Sequence, residues 1–409
     1  VCSLLCNLTR SDANRVPIVE SGFVETLIRM MVLPDVETSS QACAAISNIA
    51  EHLASHELLR KSKAIHFLTY LMRSRHMVIY REAARGIANM LTTLINHEQF
   101  LDERGLKALA QTGYSDDPFC QFHAALCYRK LSPNVASHAG IINEGGIPPL
   151  IKLSKSSVME VRLEAAVALR DLAADPEHKL MFAEEGGAVA LIDAVNDIDE
   201  RIAGLALAGL RHLALNKELK GTIVDCNGLT PILSRCNSKV PEIQIQGAGV
   251  LANLAERVRN QSIIARHELG FQSLIALGLS EQEQVQEDCA RAYAHLTSNP
   301  ENQVNVFTTD VYKSLFSLLG SPVCNTARFS AMAVGNLALV VVNQVQMVRN
   351  NVLPPLIALL DSEFLDCQHY AARALYRLAA NQGNQLTMVE VGALPPLIRL
   401  LSSEYVPAQ

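Results

Sequence analysis

The chain has 409 residues, 49% hydrophobic and 5% aromatic, with no Trp; that composition excludes a wholly disordered chain, and the length exceeds what one conventional core supports. Its formal charge of -6, from 35 Lys plus Arg against 41 Asp plus Glu, excludes a global attraction to nucleic acid or anionic lipid. Apolar runs such as 337–342 and 353–360 are too short to span a bilayer, and no basic segment followed by an apolar run opens the chain.

In chain order, one short phrase recurs: a small or turn residue, an apolar run, and Leu close behind. It stands at Gly22, Lys63, Gly105, Gly146, Gly187, Gly228, Gly270, Asp310, Asn351 and Gly392, at separations of 40 to 42 residues. A second phrase follows each anchor but the last by 25 or 26 residues and also precedes the first, at Asn7, Asn48, Asn89, Lys130, Asp171, His212, Asn253, His295, Asn336 and Arg377. A period near 41 is that of helical-repeat solenoids, in which no unit buries its apolar face alone and stacking makes a continuous core.

Each unit parses into three helices. The first is short, as at 14–20, 260–268 and 343–349, and glycine ends it, because a residue free of Cβ accepts the left-handed conformation past a helix end. The second opens on proline at Pro148 and Pro149, Pro354 and Pro355, and Pro395 and Pro396, where the missing N–H has no intrahelical acceptor. The third is longest, as at 159–173, and carries closely spaced small residues such as Ala42, Cys43 and Ala45, or Ala371, Ala372 and Ala374, which let neighbouring helices approach. The stretches 51–61 and 112–119 look least regular and predict small insertions. Val1 falls inside a third helix and Gln409 behind a second one, which predicts a single array of about ten registers over 1–409, partial at both ends and cut from a longer protein.

Chemistry-bearing motifs are sparse. The ten cysteines include no CxxC pair, and most lie in apolar helical stretches; reduced thiols acting as small hydrophobes, and a cytoplasmic location with the nucleus, cilium or cytoskeleton as alternatives, are the expectation. His52 and His56 lack an intervening Glu and a third metal ligand, and Cys120, His123 and Cys127 share one helix at repeated packing positions. No GxGxxG, GxxxxGK or GxSxG occurs. The chain therefore reads as a non-enzyme with no cofactor or metal.

The phrases GGIPPLIKL from Gly145, VGALPPLIRLL from Val391, and VLANLA and VGNLA around Asn253 and Asn336 resemble the armadillo family, which includes beta-catenin, importin alpha and yeast vacuolar proteins. The resemblance spans essentially the whole chain. It implies an all-α, right-handed superhelical solenoid with three helices per repeat, and a scaffold or adaptor that binds a protein or extended peptide in a groove lined by third helices. In the family an Asn of the third helix clamps the ligand backbone, a job suited to a side chain offering both donor and acceptor. The matching residues are Asn7, Asn48, Asn89, Asn253 and Asn336, with Lys130, Asp171, His212, His295 and Arg377 replacing Asn at the other registers.

Importin alpha carries Trp one turn earlier, where this chain has residues such as Arg85, Leu126, Val167, Arg291 and Arg373; without Trp, recognition of nuclear signals is not expected. Arg85, Arg291 and Arg373 instead suggest an acidic ligand held through bidentate contacts, against which Glu82, Glu164 and Asp288 stand close enough on their helices to neutralise charge. Two other readings are a structural spacer in a cytoskeletal or ciliary assembly and the substrate-binding part of a larger enzyme such as a ubiquitin ligase.

Overall fold

A computed structural model describes residues 2–304 and 311–401; the anchor Asp310 and the terminal Gln409 lie outside them. The described residues form α- and 3-10 helices joined by short turns, and no strand occurs among them. Two compact units are present, Val1–Gly209 and Leu210–Gln409.

Within each unit the three-helix repeat is explicit. The repeat from Asp12 has a first helix Asp12–Glu20, a second Phe23–Met31 and a third Val36–Ile49. Third helices stack on third helices: Cys2–Thr9, Val36–Ile49, Met77–Met90, Pro118–Leu131 and Met159–Ala174 pack in sequence in the first unit. Pro241–Ala255, Glu283–Ser298, Cys324–Leu337 and Leu365–Ala379 do so in the second. The small residues make this possible, for Ala42, Cys43, Ala45, Ala83, Ala84, Ala165, Ala168, Ala371 and Ala374 are all buried. A methyl at Gly86 would meet the Ser47 hydroxyl at 2.6 Å. The proline of the second helices falls in the first turn of Ile147–Ser154, Leu353–Leu360 and Leu394–Leu400, as expected.

The turn between first and second helices departs from the expectation in an instructive way. Its left-handed residue is Gly22, Lys63, Arg104, Gly145, Gly186, Asn227, Asn351 or Gly392, a register of its own that half the time lies one residue ahead of the anchor. The anchor glycines Gly105 and Gly187 instead open the second helix, where any Cβ would run into the rings of Phe100 and Phe182. Close approach of the first helix, not backbone handedness, requires those glycines. The supposed insertions are also ordinary parts of the repeat. Residues 51–61 hold the 3-10 turn Leu53–Ser55 and the first helix His56–Lys61, a pattern repeated at Val135–Ser137 and His138–Asn143. Residues 114–117 are a turn whose Asp117 caps the next helix by accepting from the Cys120 amide at 2.9 Å.

Each third helix ends on carbonyls without intrahelical donors. The next first helix supplies one six residues on: Arg15 Nε donates to the Thr9 carbonyl, and Gln261, Gln303, Gln344 and Gln385 donate to those of Ala255, Thr297, Ala338 and Ala379. His56, His97 and His138 do the same through Nε2, at 2.8, 2.8 and 2.6 Å from the carbonyls of Ala50, Leu91 and Ser132. A carbonyl partner fixes the proton on Nε2. The neighbouring Asn260, Asn302, Asn343 and Asn384 tie each first helix to the previous one, through the carbonyls of Lys220, Gln261, Gln303 and Gln344.

Candidate functional site on the third-helix faces

Within each unit the ladder residues occupy one stripe of its stacked third helices. In both units the structure gives them a shared bond that the sequence did not announce. Asn48 Nδ2 donates to the Cys6 carbonyl at 3.3 Å and to Thr9 Oγ1 at 3.0 Å, and Asn89 Nδ2 donates to the Ser47 carbonyl at 3.0 Å. Asn253 reaches the Arg211 carbonyl at 3.4 Å and Asn336 that of Ala294 at 3.3 Å. Lys130 Nζ donates to the Ala88 carbonyl at 2.6 Å, and Arg377 Nη1 to that of Gly335, also at 2.6 Å. The acceptor is always the residue just before the ladder position of the preceding repeat. Replacement of Asn by Lys or Arg therefore conserves the donor and only changes its reach.

Asp171 has no donor and reverses the polarity: it accepts from Ser132 Oγ at 2.8 Å and from Arg170 Nη2 at 2.6 Å. His212 and His295 are half-buried, and burial holds the His295 imidazole below its usual pKa. Asn7, on the first described third helix, is exposed. Asn48, Asn253 and Asn336 are 6%, 2% and 8% exposed, so the stripe presents edges of amides rather than free side chains. Every side-chain hydrogen bond that Asn48, Asn89, Asn253 and Asn336 make among the described residues runs through Nδ2. Their Oδ1 acceptors carry none.

Two of the three arginines are already occupied. Arg85 pairs with Glu51 at 3.0 Å and with Glu82 at 2.6 Å; Arg291 pairs with Glu256 at 3.2 Å and with Asp288 at 2.7 Å. Glu51 also holds Arg15, and Glu256 holds Lys220. Arg15, Glu51, Glu82 and Arg85 correspond to Lys220, Glu256, Asp288 and Arg291, each pair 205 or 206 residues apart. One four-charge cluster is thus built twice, five repeats apart, from a first helix, the turn that ends one third helix, and the next third helix. Sequence reasoning weighed Glu82 and Asp288 but missed Arg15, Glu51, Lys220 and Glu256; the shared register was the available signal. Arg211 adds to the second cluster, 3.3 Å from Asp288. Arg373 differs: its guanidinium lies 4.9 Å from the Tyr370 ring centre, and its Nε is buried without a hydrogen bond. It makes no ion pair among the described residues.

The stripe changes character midway along the first unit. One and two turns before Lys130 and Asp171 stand Leu126 and Phe122, and Val167 and Leu163, all partly exposed. They form an apolar floor flanked by the polar ladder.

The remaining candidates are structural. His56 lies 2.6 Å from Thr93 Oγ1 through Nδ1 while its Nε2 caps a helix, so both ring nitrogens have partners. Cys120 and Cys127 are buried, with burial pushing both thiols up to about 12, and burial brings His123 down to about 4. Ser132, His138, Asp171 and Asp175 line a cleft of about 260 Å³, but His138 is held between the Ser132 carbonyl and Asp175, and Ser132 Oγ faces Asp171. The imidazole is not placed to take the hydroxyl proton. No group of His, Cys, Asp and Glu among the described residues is arranged to hold a metal ion, and no described helix is long and apolar enough to cross a membrane.

Three stretches of the chain, residues 11–51, 141–174 and 342–380, match the family model of the armadillo/beta-catenin-like repeat. Among solved structures, a crystal structure of an engineered protein is similar with a TM-score of 0.75 at 26% identity, covering 94% of this chain and 96% of that one. A second engineered protein gives 0.52 at 25% identity, over 56% of this chain and 96% of the other. A designed armadillo repeat protein gives 0.52 at 19% identity, over 56% and 99%, a likeness of fold. No curated protein matches the chain in sequence. The armadillo solenoid is generally a scaffold for protein interaction and typically not an enzyme. Repeat register, third-helix stacking and both matches agree: this chain is an all-α armadillo-repeat solenoid.

Proposed function

We propose that this chain is a non-enzymatic scaffold that holds an extended polypeptide segment along its third-helix faces. The observation that carries this reading is the Oδ1 acceptors of Asn48 and Asn89 in the first unit and of Asn253 and Asn336 in the second, immobilised by inter-repeat bonds from Nδ2 and left without donors. A row of fixed acceptors suits the backbone N–H groups of an extended chain and ignores its sequence. Preorganisation by the neighbouring repeat lowers the entropy cost of binding.

Sequence preference comes from the flanks. Phe122, Leu126, Leu163 and Val167 favour apolar ligand side chains in the first unit. Arg85 and Arg291 are neutralised within the chain and contribute little to a clasp for acidic residues. Arg373, stacked on Tyr370 beside Arg377, is the arginine left for a ligand carboxylate, so an acidic residue is favoured only near that end of the ladder.

The test is selection of unstructured peptides from a display library on this chain, followed by hydrogen-exchange mapping of the bound complex. Protection on the third helices, and a Kd raised tenfold or more in the doubly substituted Asn253→Ala, Asn336→Ala protein at unchanged helical content, are expected. A ligand that protects only first helices or the turns, or an unchanged Kd, overturns the reading.

A further inference from the structure

Consecutive third helices of the second unit meet at two thiols. Cys324 and Cys367 bring their Sγ atoms to 3.7 Å, and the Cys367 Sγ is also 3.5 Å from the Cys324 carbonyl oxygen. Cys324 is the first residue of Cys324–Leu337 and Cys367 the third of Leu365–Ala379, so both stand in first turns. They line a cleft of about 300 Å³ with Pro322, Ala358 and Phe364. Cys324 is partly exposed to that cleft and Cys367 is buried.

Packing alone does not call for two sulfurs here. The equivalent cleft of the first unit is lined by Val36 and Ile79 at the same two register positions, and Met159 and Ile202 hold them at another junction. Apolar side chains satisfy the position. Among the described residues no other two thiols come within hydrogen-bonding distance.

We propose that Cys324 and Cys367 are a dithiol modification site, at which a hydroperoxide closes a disulfide between consecutive repeats. Cys324 is the partly exposed thiol of the two, so a hydroperoxide in the cleft meets it first. Its sulfur attacks the terminal peroxide oxygen, the O–O bond breaks, and the alcohol or water leaves carrying a proton; Cys324 becomes a sulfenic acid. The Cys367 sulfur then attacks that of Cys324, the S–O bond breaks, and the departing hydroxide takes the Cys367 proton as water. Two thiols lose two electrons and two protons in all, and the peroxide is reduced by the same two electrons. Burial pushes the Cys367 thiol up to about 12, so it is the second thiol to react. The sulfurs must close from 3.7 Å to about 2 Å, which side-chain rotation within the first turns can supply.

The experiment treats the reduced 409-residue chain with stoichiometric hydrogen peroxide, blocks free thiols with N-ethylmaleimide and maps peptides without reductant. A cross-linked pair containing Cys324 and Cys367, reversed by dithiothreitol and carrying most of the oxidised protein, is expected. Cys324→Ser should abolish the cross-link, and Cys367→Ser should leave Cys324 trapped by dimedone. Both thiols alkylated after peroxide, a sulfinic acid at Cys324 with no cross-link, or cross-links dominated by another cysteine would overturn the proposal.

Discussion

The amide of Asn336 faces two ways, donating to the Ala294 carbonyl and offering Oδ1 outward, and this duality sets the energetics of substitution. Asn336→Ala removes the bonds to the Ala294 carbonyl and to Thr297 Oγ1 and leaves a carbonyl already served by its own helix, for a loss of about 1 kcal/mol. Asn336→Asp costs more, about 2 kcal/mol, because a carboxylate then faces a carbonyl with no donor between them. Urea unfolding of the two variants, compared through their midpoints, checks the order.

His123 gives a pH prediction at the same scale. Burial among Phe119, Phe122 and the third-helix core brings its pKa down to about 4 from the usual 6.5, and its Nδ1 has no partner. The unfolded chain binds the proton more readily. The folded form is therefore favoured fully above pH 6.5, and that contribution is lost as pH falls from 6.5 toward about 4. The loss is at most about 3 kcal/mol. His56 and His97, also lowered by burial, add in the same direction. Thermal melts of His123→Leu between pH 7 and pH 4 should fall less steeply than those of the parent.

At the scale of the element, the turn after the first helix separates two kinds of residue that look alike in sequence. Lys63 and Arg104 hold φ of 61° and 54°, a conformation that costs a side chain with Cβ about 1 kcal/mol. Lys63→Gly and Arg104→Gly should each raise stability by about 0.5 kcal/mol after the entropy of glycine is subtracted. Gly187→Ala, by contrast, drives a methyl into the Phe182 ring and should cost about 1 to 3 kcal/mol. The same equilibrium unfolding curves discriminate all three.

The twice-built charge cluster is an element-scale device as well. Lys220 is 6% exposed and held by Glu256, so Glu256→Ala leaves a buried ammonium without its carboxylate and should cost about 3 kcal/mol. Glu256→Ala combined with Lys220→Met should recover most of that loss. If the single and double variants are equally unstable, the pair is not the source of the effect.

At the scale of the molecule, contacts run mainly between neighbours, so perturbation should stay local. Phe182 is fully buried against Gly187 in the first unit. Phe182→Ala should lower hydrogen-exchange protection strongly in the repeats around 140–209 and leave 324–401 unchanged. Loss of protection spread evenly over both units would contradict nearest-neighbour behaviour. Closing the Cys324–Cys367 pair would act in the same local manner, tethering one junction.

The sequence by itself determined the repeat, the three-helix unit and the stripe of ten ladder positions, because stacked units demand the same apolar and small residues at the same register. It also contained Cys324 and Cys367 without pairing them, since their contact joins different repeats. Only the tertiary structure decided what the ladder does: Asn, Lys and Arg share a donor role toward the preceding repeat, and that role appears only when a carbonyl 42 residues away is brought into reach. It likewise decided which glycines turn the chain and which admit a neighbouring ring, and it showed that Arg85 and Arg291 are bound by carboxylates from the repeat before as well as from their own helix. Pattern records which residue types recur, whereas pairing depends on distances across repeats that the pattern leaves open.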